Sequence, residues 1–258
     1  MTRNEVSLPI GMGELLLRNG AEIFRVEQTI GLMAKALGAD KTDSFVTLTG
    51  LFTSIEIDGS LYTFVRRVSN RSYDLAMVTE LNDLSRRFCN GEISTISLET
   101  RMIELQKPRI VPRKRWSMAL ASGFGSLGFG IIIGLTTFSS LAYATLNGFL
   151  VSLILDLISS RFKVPESLAV LLSSTLLTAL TFLYPGLSGT EQNLVNLGGL
   201  FLLLPGITLS TSIRELANGD LLSGISRLAE ALITLTMIAA GVITCFTFLP
   251  LLQEVFQS

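Results

Sequence analysis

The 258-residue sequence contains no histidine, and this absence excludes several classes of catalytic and metal site. Ser-His-Asp triads, papain-like Cys-His pairs and most zinc sites all need an imidazole. The two cysteines, Cys89 and Cys245, lie in parts of the chain that differ in composition, so no disulfide framework is expected. The sequence also has no GxxxxGK[ST] motif, which argues against ATP drive within this chain. We therefore expect no enzyme active site, no cofactor and no metal ion.

Charged residues are scarce, and the scarcity is concentrated in the second part of the chain. They make up 16% of the sequence, against about 25% in an average soluble domain. Residues 1–115 hold 16 basic and 14 acidic side chains, whereas residues 116–258 hold only 4 and 7. A net charge of −1 gives no footprint for nucleic-acid binding. The composition indicates a membrane protein with a sizeable soluble domain.

The first 106 residues have the patterns of a small cytoplasmic α+β domain. The N-terminus lacks the features of a cleaved signal peptide. Apolar residues between Ile10 and Leu37 recur at helical spacing, with Gly20 as the site of a bend or close contact. Residues 43–68 predict a β-hairpin around Asp58-Gly59, and two helices follow, at 71–89 and 95–106. The strands of this domain are too few to cover both of its faces, so we expect the domain to pair with another copy or with another chain.

A basic linker, residues 107–115, precedes five apolar stretches, each close to the ~20 residues that cross a bilayer. The expected architecture is a five-helix transmembrane bundle. The alternative, a single buried helical core in a water-soluble protein, would need five successive helices with hardly any polar face. The predicted spans cover about 116–136, 141–159, 167–184, 195–214 and 227–250.

Lysine and arginine predict the orientation of the spans in the membrane. They lie in the linker and in the connections between spans two and three and between spans four and five. The turn 137–140, the loop 185–194 and the tail 251–258 contain none. Because positive charge is retained on the cytoplasmic side, we expect the N-terminus inside and the C-terminus outside.

Span four contains Pro205-Gly206 near the middle of its apolar run, where proline removes a backbone hydrogen bond. One interpretation is a simple kink. The other is a broken helix whose second half begins near Gly206 and directs free N–H groups at an anionic solute. Under this interpretation we predict a substrate-binding set, with the deeply placed Asn147 included: Pro205, Gly206, Thr208, Thr211 and Asn147.

Ionisable residues inside membrane spans are costly and are candidates for function. We predict proton coupling at Asp156, Glu215 and Glu230. All three project near cytoplasmic ends, so ordinary ion pairs, such as Arg214 or Arg227 with Glu230, are the alternative.

Residues 123–128 match GxGxxG, but no strand precedes them, and helix packing is the better interpretation of these small residues.

In the soluble domain, one helical segment carries a second candidate motif, with Glu22 and Arg25 on one face. An intrahelical ion pair worth a few tenths of a kcal/mol is the alternative interpretation. The motif consists of Gly20, Glu22, Arg25 and Glu27.

Two stretches resemble the threonine/serine exporter family. They are LLLRNGAEIFRVEQTI, residues 15–30, which a TxxGLFTSI-type strand follows, and LLLPGITLSTSIRELANGDLLSGISRLAEALI, residues 202–233. The resemblance covers nearly the whole chain in the same order. It implies an exporter in the bacterial inner membrane, for small amino acids (threonine, serine) or for small dicarboxylates such as succinate.

The resemblance also implies a partner, because the chain looks like the larger subunit of the family's split form. That form works with a separate small integral membrane protein, so we expect a homo- or hetero-oligomer in the lipid bilayer. One rival hypothesis is a membrane-anchored regulatory or scaffold subunit of a separate transport-forming partner. A membrane-anchored enzyme is the second, and the missing catalytic groups disfavour it.

Overall fold

The computed structural model describes residues 3–69, 71–107, 115–162 and 164–257 of the chain. Most of the predicted basic linker, residues 108–114, lies outside these ranges, and so does Lys163. The described chain is mainly helical, with one small sheet. It divides into two compact units. Unit 1 combines Met1–Ile110 with Leu209–Leu228, and unit 2 combines Val111–Thr208 with Ala229–Ser258.

Unit 1 contains a segment that was not part of the predicted first domain, which ended at residue 106. Residues 209–228 were assigned by sequence to the membrane part, yet they belong to the same compact unit as the N-terminal region. The physical reason is a set of charged side chains in this segment whose ion-pair and hydrogen-bond partners lie in the first 110 residues.

Four helices of unit 1 come from the N-terminal region: α1 (Arg3–Arg18), α2 (Ile23–Ala36), α3 (Leu75–Cys89) and α4 (Thr95–Gln106). The predicted bend at Gly20 is confirmed, since this residue has φ +87° and separates α1 from α2. Gly38 has φ +89° just beyond α2. Asp74 and Ser94 cap α3 and α4 by accepting backbone N–H groups.

The sheet has three antiparallel strands in the order β1 (Lys41–Thr47), β2 (Gly50–Ile57) and β3 (Ser60–Arg67). The tight turn at Asp58-Gly59 is confirmed, because both residues have positive φ. The prediction of one hairpin was wrong. A second two-residue turn pairs Thr47 with Gly50, and it lies within a Thr- and Val-rich run that lacks the usual turn residues.

One face of the sheet packs on the helices and the other does not. Leu51 and Ile55 of β2 are fully buried, and each such side chain contributes about 1.5–3 kcal/mol. On the opposite face several apolar side chains are largely exposed, namely Phe45, Phe52, Leu61 and Val65. A partner for this face remains a prediction.

The rest of the described chain contains α5 (Arg115–Ile132), α6 (Phe138–Phe162), α7 (Glu166–Thr181), α8 (Gly189–Leu200), a 3-10 turn (Phe201–Leu203), α9 (Gly206–Ala217) and α10 (Leu221–Gln257). Within the described residues, α6 and the 221–248 part of α10 are long and apolar enough to cross a membrane. The α8–α9 pair is a third candidate, bent by 60° at its break. α5 and α7 have 18 and 16 residues.

The apolar surface of these helices is largely exposed. Only 28% of the most apolar window of α6 is buried, and 22% of that of α10. A water-soluble protein could not leave such helices uncovered. Their exposure therefore favours lipid contact over the alternative of a single buried helical core.

Small residues bring α5 and α6 close together in unit 2. A Cβ added at Gly148 would lie 2.6 Å from the backbone oxygen of Ser122. Ser126 donates a hydrogen bond of 2.7 Å to the carbonyl oxygen of Ala144. The GxGxxG segment thus serves helix packing, as the sequence favoured.

Candidate functional site

The most buried charged pair in the described chain lies between α9 and α10, inside unit 1. The Glu215 side chain is 0% exposed and that of Arg227 is 3% exposed. Arg227 Nε lies 3.0 Å from both carboxylate oxygens of Glu215. Breaking such a pair from one side leaves a buried charge without compensation, which costs about 3–5 kcal/mol.

Two groups from the N-terminal region complete the hydrogen bonding of Arg227. Its Nη1 donates to the hydroxyl of Tyr73 at 2.9 Å, and its Nη2 donates to the carbonyl oxygen of Ala21 at 3.3 Å. The guanidinium carbon also lies 5.9 Å from the centre of the Tyr73 ring, within the range of a cation–π contact. The planar fork of arginine suits this three-way arrangement, which a lysine could not reproduce.

Glu215 also faces the beginning of α2. Its Oε1 accepts the backbone N–H of Ile23 at 3.4 Å, and Ile23 is the first residue of that helix. The first N–H groups of a helix have no partner within it, and its N-terminus favours negative charge. Glu22, the N-cap residue, makes no side-chain cap bond of its own. A carboxylate from 192 residues later in the chain thus takes the place of the cap.

A second ion pair lies beside the first. Arg214 donates to Oε1 of Glu22, and the other oxygen, Oε2, lies 3.6 Å from Arg25 Nε. That oxygen is buried without a hydrogen bond among the residues that the structure describes. We call Glu22, Tyr73, Arg214, Glu215 and Arg227 the charge cluster.

A tight turn places the basic and acidic members of α9 beside α10. Gly219 has φ +91°, and Asp220 N–H bonds to the Glu215 carbonyl at 2.9 Å while Gly219 N–H bonds to that of Leu216 at 3.1 Å. This is the Schellman pattern of a helix C-terminus. Gly224 allows close approach, since a Cβ there would lie 2.6 Å from Leu216 Cγ.

Two further carboxyl groups of unit 1 resist ionisation. Burial raises the pKa of Glu27, and the charge of Asp220 raises it further, against the opposing hydrogen bond from the Val46 N–H. That bond is 2.9 Å long and occupies a donor of the edge strand β1. Burial likewise raises the pKa of Asp220. These groups can hold a proton at a higher pH than ordinary carboxyls.

The raised pKa of Glu27 predicts a pH dependence of the stability of unit 1. Below its ordinary value of 4.5, the carboxyl is protonated in both folded and unfolded chains. As pH rises past 4.5 the unfolded chain ionises first, so the folded state loses stability until its own raised pKa is passed. Melting curves should therefore show that the melting temperature of Glu27→Gln rises relative to that of the wild type as pH increases from 4 to 7. A difference that does not change with pH would contradict this.

The structure places Asn147, predicted to bind solute, inside unit 2 with a full set of partners. It is fully buried. Its amide nitrogen donates to Thr181 Oγ1 at 2.9 Å and to the Val195 carbonyl at 3.4 Å, and its oxygen accepts from the Tyr184 hydroxyl at 2.7 Å. In this conformation Asn147 joins α6, α7 and α8, and its role in solute binding stays a prediction.

The helix break predicted at Pro205-Gly206 is present. The 3-10 turn ends at Leu203 and α9 begins at Gly206. No atom outside its neighbours lies within 4 Å of a Cβ built on Gly206, which leaves room at the start of α9. Pro205 and Thr208 are half-buried, and Thr211 is buried within unit 1. Whether this set binds solute remains a prediction.

The three carboxylates predicted to couple protons have different environments. Glu215 is the buried member of the charge cluster. Asp156, in unit 2, forms an ion pair of 2.7 Å with Arg115, and Glu230 is exposed. Arg214 and Arg227 pair with Glu22 and Glu215, and the alternative pairing of either arginine with Glu230 stays a prediction.

The motif Gly20, Glu22, Arg25 and Glu27 lies at the charge cluster or next to it in the chain, in unit 1. The expected intrahelical contact of Glu22 with Arg25 is present at 3.6 Å, but Glu22 also bonds to Arg214. Sequence reasoning missed Tyr73 and the Ala21 carbonyl altogether. One feature of the sequence could have linked the two segments. Both stretches that resemble the family contain charged residues to which the sequence analysis assigned no partner. Among the described residues, no group of three or more cysteine or carboxylate side chains could hold a metal ion.

Comparison with known proteins identifies the family. Residues 8–249 match the family ThrE, described as "putative threonine/serine exporter". The chain belongs to the ThrE family. A relative in Mycobacterium tuberculosis, named a probable threonine/serine exporter, is 26% identical over 245 residues, which are 94% of this chain and 46% of the relative. This chain thus spans about half of that protein's length. No solved structure matches the chain.

Other ThrE relatives correspond to this chain over nearly their whole length. The probable succinate transporter subunit YjjP of Escherichia coli K12 is 23% identical over 251 residues, 93% of each chain. Its namesake in Klebsiella aerogenes is 23% identical over 243 residues, 90% of this chain and 89% of the relative. The resemblance seen in the sequence is confirmed, and the family is one of transporters and not of enzymes.

Proposed function

We propose that this ThrE protein is the larger subunit of a secondary exporter of small amino acids, or of small dicarboxylates, in the bacterial cytoplasmic membrane. The match to YjjP, a protein named as a subunit, supports a two-subunit system. The partial match to the mycobacterial relative supports a chain that supplies one part of a longer transporter. The partner would be a small integral membrane protein of the same family.

In this proposal the chain crosses the membrane five times, with the N-terminal domain inside and the C-terminus outside. The exposed apolar surfaces of α6 and α10 support the membrane location. The asymmetric distribution of lysine and arginine supports the orientation. α5, α7 and the bent α8–α9 pair would supply the other three crossings.

The observation that carries the proposal is the convergence of both family segments on the charge cluster. Residues 20–27 and 214–227 are far apart in sequence, yet Glu22 pairs with Arg214, and the buried pair of Glu215 with Arg227 bonds to the backbone of residues 21 and 23. Hydrophobic residues can often replace such a buried pair at no loss of stability. A costly buried pair fits a conformational role. We infer that the cluster holds α9, the helix that follows the Pro205 break, in one of two positions used during transport.

Solute would bind in unit 2 near the break, at the predicted residues Pro205, Gly206, Thr208 and Asn147, and a role for Thr211, in unit 1, stays a separate prediction. The positive end of the helix dipole at the start of α9 would favour a carboxylate, a group that amino acids and dicarboxylates share. Glu215 is the best placed of the predicted proton-coupling groups, because a proton on it would release Arg227 and so link protonation to movement of α9.

The test is counterflow of labelled serine, threonine and succinate into liposomes that contain this chain alone or this chain with its partner. We expect uptake with both chains together and about a tenfold loss for Pro205→Ala, which restores helical hydrogen bonding at the break. Pro165→Ala is the matched control, since Pro165 lies at the N-cap of α7 and its replacement should leave uptake unchanged.

The regulatory alternative predicts another result. If the partner alone transports and this chain only changes its rate, with Pro205→Ala behaving as wild type, the chain is a scaffold or regulatory subunit. Absence of all uptake with correctly inserted protein would reject the three solutes tested.

A further inference from the structure

The sheet of unit 1 has two edges, and their backbone groups are used differently. The strand order leaves β1 at one edge and β3 at the other. At the β1 edge, the carboxylate of Glu27 accepts the N–H of Val46 at 2.9 Å. At the β3 edge, no further strand pairs with residues 60–67 among the residues that the structure describes. The sheet can therefore be extended at β3.

The register shows which backbone groups of β3 point away from the sheet. The N–H of Val68, just beyond β3, donates to the Thr49 carbonyl oxygen at 2.9 Å, and this pair continues the register between β2 and β3. Successive residues of an antiparallel ladder alternate in direction, so the even-numbered residues of β3 bond to β2. The N–H and C=O groups of Leu61, Thr63 and Val65 consequently point outward.

This edge lacks the features that usually protect an edge strand. Edge strands in natural proteins are often very short, or carry lysine, proline or a bulge. β3 has eight residues in unbroken register with β2, and none of them is lysine or proline. Leu61 and Val65 are 69% and 65% exposed. An open edge of this kind is a template for another strand.

The sequence of β3 is complementary to itself when two copies run antiparallel. A two-fold axis uses the same surface of both copies, and the outward-pointing groups of Thr63 can bond across such an axis to Thr63 of a second copy. Leu61 then lies opposite Val65, and Tyr62 lies opposite Phe64. A shift by one residue would place the buried face of one sheet beside the exposed face of the other, which excludes it.

This register continues both faces of the sheet. On the exposed face, Phe45, Phe52 and Val65 lie opposite one another in a cross-strand row, and Leu61 of the second copy would extend that row. On the other face, Tyr62 and Phe64 pack against the core but are only partly buried. Pairing of the two edges would cover the aromatic surface that these side chains leave open.

Charge favours a second copy over an unrelated strand. Arg66 lies near the end of β3 and Asp58 in the turn just before it, and both are exposed. Pairing about Thr63 places Arg66 opposite Ser60 and diagonal to Asp58 of the other copy, a separation that long side chains can span. The two-fold axis gives this contact between opposite charges twice.

We propose that β3 pairs with β3 of a second copy of this chain, so that the two three-stranded sheets form one continuous antiparallel sheet in a dimer. The proposal goes beyond the exporter function and does not depend on it. The sequence predicted a pairing with either another copy or another chain. The proposal selects another copy and assigns the edge and the register.

Disulfide trapping in membranes tests the register. Opposite residues of a hydrogen-bonded antiparallel pair have Cα atoms about 5.5 Å apart, a separation that a disulfide can bridge. Cys89 and Cys245 are first replaced by alanine. Thr63→Cys, in the full chain in membrane vesicles with a mild oxidant, should then give a disulfide-linked dimer. Asp43→Cys is the matched control, because Asp43 lies in the same cross-strand row, through Ser54, but at the β1 edge.

We expect at least about tenfold more linked dimer for Thr63→Cys than for Asp43→Cys, because proximity raises the effective concentration of the thiols. Leu61→Cys mixed with Val65→Cys should also cross-link. Either variant alone should do so far less, since like residues are then offset by four positions, roughly 13 Å. Equal cross-linking at the two edges, or none with Thr63→Cys, would overturn the proposal.

Val65→Pro tests the backbone bonds directly. Proline removes the outward N–H of residue 65 and leaves the bonds between β2 and β3 in place. In nanodiscs, the mass of the full chain should therefore change from that of a dimer to that of a monomer. Val65→Thr keeps both the N–H and the branched side chain and should stay dimeric. A dimeric Val65→Pro would contradict the proposal. If this variant does not fold, the cysteine comparison still decides.

A strand of the partner subunit is the other candidate occupant of this edge. If the wild type is monomeric in nanodiscs and Val65→Pro abolishes its co-purification with the partner, the edge binds that subunit and the proposal is wrong. These readouts are structural, so they are independent of the counterflow assay. A Thr63→Cys dimer in a chain without counterflow would reject the exporter function and retain the dimer.

Discussion

Replacement of Arg227 by methionine is expected to lower the free energy of unfolding by about 3–5 kcal/mol, because it leaves Glu215 buried without a positive partner. The loss also includes the hydrogen bonds to Tyr73 and to the Ala21 carbonyl. Thermal unfolding in detergent, followed by size-exclusion chromatography, measures the effect. Counterflow with the partner present should fall to background in the same variant.

Three further variants separate the causes. Arg101→Met removes an arginine whose ion pairs with Glu80 and Glu104 are exposed, and it should change stability far less. Arg227→Lys should recover only part of the loss, because one ammonium cannot reach all three partners. The double variant Glu215→Leu with Arg227→Met should regain most of the stability, since a hydrophobic pair avoids the cost of burying charge.

Transport by this double variant decides the role of the pair. If the pair only stabilises the fold, the double variant should transport as wild type does. The conformational role proposed here predicts a stable protein without counterflow. A single Arg227→Met variant as stable as the wild type would contradict the assignment of a buried ion pair.

Local chemistry in the sequence predicted the individual elements well. Apolar periodicity indicated the helices of the N-terminal domain, and Asp58-Gly59 indicated a turn because few other residues accept positive φ at both positions. Pro205 indicated the break before α9. The extra turn between β1 and β2 was missed, because Leu48-Thr49 carries none of the residues that usually mark turns.

Long-range pairing could not be predicted in the same way. The partners Glu22 and Arg214 are 192 residues apart, and no local rule selects one among several possible carboxylates for a given arginine. The sequence offered Glu230 as one example of a partner for Arg214 or Arg227. In the structure Arg227 pairs with Glu215, because the turn at Gly219 reverses the chain and brings Glu215 beside Arg227. Residues 209–228 were assigned to the membrane part for the same reason, because their partners were not visible.

Gly20→Ala is expected to be the second strongly destabilising change, for two reasons that can be separated. Gly20 has φ +87°, and a residue with a Cβ pays about 1–2 kcal/mol for that conformation. The new Cβ would also lie 2.6 Å from Tyr73 Cδ1 and 3.1 Å from the Ser72 carbonyl oxygen. Such overpacking adds about 1–3 kcal/mol and moves the tyrosine that binds Arg227.

Gly38→Ala supplies the matched control, because Gly38 has φ +89° and a Cβ there meets nothing within 4 Å. Both variants should pay the backbone cost, and only Gly20→Ala should pay for the contact with Tyr73. Most of the excess should disappear in the Tyr73→Ala background, where the ring is absent and only the 3.1 Å contact with the Ser72 carbonyl oxygen is left, so the two substitutions should be non-additive in a double-mutant cycle. Loss of counterflow in Gly20→Ala but not in Gly38→Ala would trace the effect to the Tyr73–Arg227 contact. Equal melting temperatures for the two glycine variants would instead show that the ring moves aside at no cost, and that Gly20 serves only the bend between α1 and α2.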